Sequence, residues 1–163
     1  MPASEPSVRG LTPAWLLWCI FIAYGSLLPF EHRPAPAEGA LFAFMHMPWL
    51  QIGLGGRLDW LANLLLYVPA GFLGTLALRR RVTPLDHRGS RAWSLLSALP
   101  VLLLTAALAL AIEFLQIYVS PRTVSLNDVA AELAGAAIGC VVALMFGSSV
   151  MRLLARAIAR GPD

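Results

Sequence analysis

Four apolar stretches dominate this chain, at residues 13–30, 58–78, 93–118 and 125–146. Each is as long as the roughly 17–25 residues that a helix needs to cross a bilayer. Their only charged residues are acids: Asp59 in the second, Glu113 in the third, Asp128 and Glu132 in the fourth. Charged side chains are costly in a membrane segment, so each is a functional candidate. The pattern predicts an all-α, polytopic membrane bundle of four transmembrane helices. The third stretch is long enough to tilt, and Pro100 marks an expected kink in it.

Composition excludes the soluble alternatives. The chain is 58% hydrophobic and 13% charged, with a mean hydropathy of +0.72, whereas soluble domains carry about 25% charged residues. A soluble protein of this length has no core large enough to hide so much apolar surface. The net charge of +3 comes from twelve Arg and no Lys. These arginines cluster beside the apolar stretches, as membrane topology requires, and nucleic-acid binding is not expected. Cys19 and Cys140 lie in apolar runs without a CxxC partner and read as small buried hydrophobes.

Arginine placement predicts orientation. Arg79, Arg80, Arg81, Arg88 and Arg91 fall in the loop between the second and third spans, and Arg152, Arg156 and Arg160 in the tail. The positive-inside rule puts that loop, the tail and the N-terminus with Arg9 in the cytoplasm, in an inner (cytoplasmic) membrane. Trp15, Trp18 and Trp93 then fall near the inner interface, and Trp49, Trp60 and Tyr118 near the outer one. Residues 1–12 are read as a cytoplasmic N-terminus, 13–147 as the transmembrane domain and 148–163 as a basic cytoplasmic tail. Arg9 ahead of the first run and Ala35-Pro36-Ala37 after it imitate a signal peptide. The length of the run, with Glu31, His32 and Arg33 behind it, favours a retained span.

The first outer connection begins as a Pro/Ala linker over residues 31–39. It continues as an apolar segment, 40–52, too short to span and expected to lie at the interface or re-enter as a lid. His46 within it reads as a wetted interfacial residue.

With this topology the polar residues gather. Asp59 and Asn63 are i, i+4 in the outer turns of the second span, and Glu113 and Gln116 are i, i+3 in the last turns of the third. Asp128 and Glu132 are i, i+4 in the first turns of the fourth, and Arg122 sits in the loop between the last two. At a rise of ~1.5 Å per residue, Asn63, Glu113 and Glu132 lie very roughly 7–10 Å below the outer boundary. The faces carrying them continue as Gly135 and Gly139, as Ala109 and Ala106, and as Ala70 and Gly74. Small faces are where membrane helices approach closely, so the polar groups are expected to point into the bundle. Four acids against Arg122 and Arg57 call for a proton or a cation among them.

These motifs resemble the VanZ-like family of membrane proteins. The resemblance rests on Ser26-Leu27-Leu28-Pro29-Phe30 closing the first span, Asp59-x3-Asn63 and Tyr67-x-Pro69-x-Gly71 in the second, and Glu113-x2-Gln116 closing the third. Arg122-x5-Asp128 and Gly135-x3-Gly139 complete it, over residues 24–147. Four residues after the fourth-span Asp the family usually has Asn, where this chain has Glu132. The resemblance implies a cell-envelope protein with a role in antibiotic resistance, its named member being a teicoplanin-resistance accessory protein.

Three readings of the cluster follow. It locks the helices in register, Arg122 pairing with Asp128 or Glu113, as a scaffold or partner protein would need. Or it forms a pocket open to the outer leaflet, where Arg122 meets an anionic lipid or lipoglycopeptide group and Glu113 is the candidate general acid/base on lipid-linked precursors. Or it serves ion transport, although the inner halves of the spans carry no ionisable group. No P-loop, Ser-His-Asp set or His pair at metal spacing is present, and neither a cofactor nor a metal is expected. Membrane lipids are the expected partners, and the four small helices fit either a compact monomer or a homo-oligomer.

Overall fold

The computed structural model describes residues 10–51, 53–82 and 91–160, a few helix ends by backbone alone. The N-terminal segment with Arg9, most of the Arg79–Arg91 loop, and the side chains of Trp93 and the tail arginines lie outside the described residues. Among the described residues five helices run in order: α1 (Leu11–Ser26), α2 (Ala37–Met45), α3 (Leu54–Val82), α4 (Arg91–Gln116) and α5 (Leu126–Arg160). Segments Gly55–Arg79, Leu95–Gln116 and Leu126–Met151 are long and apolar enough to cross a membrane, and Leu11–Ser26 is a shorter apolar helix. At 16 residues, α1 is roughly 24 Å long against a hydrocarbon core of about 30 Å. Pro13 is tolerated in its first turn because the amide it lacks would have no intrahelical acceptor.

Helix ends differ from the apolar stretches: α1 stops at Ser26, short of residue 30, and α4 at Gln116, short of residue 118, whereas two helices run past theirs. α3 begins before residue 58 and ends beyond 78, and α5 continues without a break into the tail as far as Arg160. Backbone hydrogen bonding persists wherever the chain carries good helix formers, whether or not lipid surrounds it. α4 runs through Pro100 as one helix.

Contacts set the helix directions. Leu64 and Val68 of α3 meet Gly135 and Gly139 of α5 in the same order, so these two helices are parallel. Gly74 of α3 meets Trp15 near the start of α1 and Val101 in the first half of α4, which makes α1 and α4 antiparallel to α3. The end of α1, the start of α3, the end of α4 and the start of α5 therefore share one end of the bundle.

Residues from α1, α3, α4 and α5 meet in the middle: Ile22, Tyr67 and Ala70, Ala109 and Ile112, and Ala136. Half of this core is alanine. The large side chains are outside instead, among them Leu17, Ile20, Leu95, Leu103, Val141 and Met145. Small residues within and large apolar residues without suit helices that associate through close packing in lipid. α3 and α5 make the most extensive contact. A Cβ added at Gly135 would overlap the Leu64 carbonyl, one at Gly139 the Val68 carbonyl, and one at Gly71 the Ala136 carbonyl. The close-packed faces expected from the sequence are those found, and Cys140 is buried there, its Sγ 3.7 Å from the Gly71 carbonyl oxygen.

Two local features depart from the sequence reading. A two-residue antiparallel pairing joins the chain after α1 to the chain after α4, Glu31 opposite Ser120 and His32 opposite Val119 (β1, Glu31–His32; β2, Val119–Ser120). Arg33 extends it: its backbone N–H donates to Tyr118 O at 2.8 Å, and its guanidinium donates twice to Ile117 O. Trp18, expected at an interface, turns inward and donates from Nε1 to Leu66 O at 2.9 Å, since an indole N–H taken from water needs an acceptor.

Candidate functional site

A cleft of about 610 Å³ opens at the shared end of the bundle. The end of α1 and the turn after it supply Gly25, Ser26, Leu28 and Pro29; α3 supplies Asp59, Ala62, Asn63 and Leu66; α4 supplies Gln116. The α4–α5 loop adds Pro121, Arg122 and Thr123, and α5 adds Asp128. Asp59, Asn63, Gln116, Arg122 and Asp128 thus line one space. Glu113 and Glu132 do not; they are 1% and 2% exposed and sit behind its wall.

The start of α5 builds that wall. Ser125 precedes the helix, and its Oγ accepts from the backbone N–H of Asp128 at 3.2 Å and donates to Asp128 Oδ2 at 2.7 Å. This is the local logic of an N-cap, with an acid in the first turn where the helix dipole favours negative charge. In a capping box the third residue would also take the N–H of the cap residue. Here Glu113 Oε2 takes it from α4, at 3.1 Å. Asn63 Nδ2 donates to the other Asp128 oxygen at 2.9 Å, linking α3 to α5.

Arg122 and Gln116 hold the opposite wall through main-chain atoms. Gln116 Nε2 donates to Ser26 O at 2.9 Å. Arg122 donates from Nε to Leu28 O at 2.9 Å and from Nη2 to Gly25 O at 3.3 Å. The register pairing considered for Arg122 with Asp128 or Glu113 is replaced by these bonds: the last carbonyls of a helix have no intrahelical donor and attract a cation. Arg122 Nη1 and the Asp59 carboxylate have no hydrogen bond among the described residues, and both residues line the cleft.

A family model, VanZ/LLP1, matches residues 14–147. The chain belongs to the VanZ/LLP1 family. Comparison with the curated proteins and with the solved structures returned no match. The VanZ/LLP1 match covers α1, α3, α4 and α5 in part or whole, and with them every residue of the cleft.

The remaining candidates of this VanZ/LLP1 protein lie deeper. Glu132 Oε2 and Tyr67 Oη are both buried without a hydrogen-bond partner. They are neighbours, and Glu113 is close to both. Among the described residues no three His, Cys, Asp or Glu are grouped to hold a metal ion. Among the described residues of segment 40–52, none lines the cleft. Phe44 of α2 packs edge-on against Phe114, ring centroids 5.5 Å apart, while Leu126 N–H donates to Pro48 O and Leu50 N–H to Asn127 Oδ1. The segment is fastened beside the start of α5. His46 is exposed and stacks on Phe42.

Sequence reasoning missed Ser125 and Gly25, and it named Ser26 only as a motif residue, not as part of the site. Ser125-Leu126-Asn127-Asp128 is a readable capping pattern. The other two contribute carbonyl oxygens, for which no residue type is a signal.

Proposed function

We propose that this is a four-pass protein of the cytoplasmic membrane, both termini inside, whose cleft faces the outer leaflet. There it binds the anionic group of a lipid-linked or glycopeptide-type ligand and so alters sensitivity to envelope antibiotics. The observation that carries the reading is the cleft itself. Five of the polar residues singled out from the sequence, from four parts of the chain, line about 610 Å³ of space, more than helix register requires. Arg122 supplies the anion contact, its fork already oriented by two carbonyls. α1 as a fourth span is supported by Ile22, which sits in the core among the other three helices. Lipid that copurifies with the protein, identified by mass spectrometry, is expected to be lost in Arg122→Gln while folded protein is still recovered. An unchanged lipid complement in that variant refutes the site.

A structural role is the second reading, and the bonds of Asn63, Glu113, Gln116 and Arg122 between segments favour it. Under it, Glu113→Gln and Arg122→Ala lower the amount of folded protein in the membrane. Under the binding reading, drug sensitivity changes at normal abundance. An acid/base role for Glu113 on a lipid-linked precursor would need a route from the cleft past Ser125.

A further inference from the structure

We infer that the cleft selects a zwitterionic lipid headgroup, one carrying a phosphate diester and a primary ammonium, with Arg122 at its anionic end and Asp59 and Asp128 at its cationic end. The inference rests on the proposal that the cleft is a lipid site.

The lining carries one guanidinium and two carboxylates. Arg122 makes no ion pair with either acid among the described residues. It is tied to the α1 wall by Leu28 O and Gly25 O, while Asp128 is tied to the α3–α5 wall by Asn63 and Ser125. Opposite charges that line one space are thus fastened to different elements and form no ion pair with each other among the described residues. A ligand bearing both signs satisfies both walls.

A purely anionic headgroup fits less well. It would satisfy Arg122 and then sit beside two carboxylates with nothing to offset them, in surroundings less polarisable than water. Asp59 sharpens this: it has no hydrogen bond of its own, lies one turn from Asn63 on the cleft face of α3, and is free to accept from an ammonium. The ammonium must carry N–H groups, because a carboxylate only accepts. Leu28, Pro29, Ala62 and Leu66 give the cleft an apolar part, and Leu58, Leu61 and Leu65 on the adjoining face of α3 are exposed to run beside acyl chains.

The test uses the full chain in detergent micelles, titrated with short-chain phosphatidylethanolamine and with phosphatidylglycerol of identical chains, bound lipid being counted by native mass spectrometry. The ethanolamine lipid is expected to bind about tenfold tighter, and Asp59→Asn to bring the ratio near one with the fold intact, since Asp59 is exposed and unbonded. Glycerophosphoethanolamine, which lacks the chains, is expected to bind more weakly than the lipid; equal binding overturns the lipid source. Phosphatidylglycerol binding as tightly as phosphatidylethanolamine, or a ratio that Asp59→Asn leaves alone, overturns the inference and leaves the lipid site standing. If neither lipid occupies a site that Arg122→Gln weakens, the site proposal itself fails.

Discussion

Replacing Gly135 with alanine adds one methyl group, and the structure specifies where it goes. An ideal Cβ there would overlap the carbonyl oxygen, carbonyl carbon and Cα of Leu64, all main-chain atoms of α3. No rotamer change relieves such an overlap, so α3 and α5 would have to part by about 1 Å to restore an ordinary contact. Forcing an extra methyl into packed surroundings costs about 1–3 kcal/mol, and exchanging glycine for alanine in a helix returns about 0.5–1 kcal/mol. The expected net loss lies between about 0 and 2.5 kcal/mol. It falls near the upper figure because the Gly139, Gly71 and Asn63–Asp128 contacts along the same seam loosen together. Equilibrium unfolding in mixed micelles with increasing dodecyl sulfate, followed by circular dichroism, reads this directly. Gly55→Ala is the control: it also lies in α3, but its added Cβ meets nothing within 4 Å, so stability should hold or rise by up to about 1 kcal/mol. Were Gly135→Ala as stable as the parent while Gly55→Ala behaves as expected, the α3–α5 approach described above would be wrong.

Two further substitutions probe the polar end with the same assay. Ser125→Ala removes the cap of α5 and one partner of Asp128, and should cost about 1 kcal/mol; no change would mean that Glu113 alone secures the start of the helix. Tyr67→Phe deletes a buried hydroxyl that has no hydrogen-bond partner, so stability should be unchanged or gain up to about 1 kcal/mol, and a loss of that size would reveal a bond to Glu132.

What could be read from the sequence depended on whether the signal was local. The apolar stretches and the i, i+4 spacing of Asp59 with Asn63 and of Gly135 with Gly139 are properties of one helix at a time, and α3, α4 and α5 carry them as expected. Five of the seven polar candidates share a cleft because the helix directions implied by arginine placement bring their ends together. Glu113 and Glu132 were legible as cluster members but not as residues behind the wall, because a helical wheel gives direction without saying which neighbour arrives first. The bonds of Arg122 and Gln116 had no signal at all, since their acceptors are carbonyls that every residue owns. The same holds for the β1–β2 pairing, which is too short to carry an alternating pattern. Segment 40–52 was readable as apolar and too short to span, but its docking beside α5 depends on Phe44 finding Phe114 and on Asn127 capturing Leu50.

The α1 wall of the cleft has a consequence for how relatives would diverge. Gly25, Ser26 and Leu28 meet Gln116 and Arg122 through main-chain oxygens, so those bonds place no demand on which side chains the α1 residues bear. Across relatives, Gln116 and Arg122 should therefore stay fixed, and a change at Gly25, the gripped position outside the Ser26–Phe30 motif, needs no compensating change in either. Covariation between aligned positions would detect the Asn63–Asp128 wall and pass over the one opposite. The docking of α1 at this end is thus a contact written in only one of its two partners.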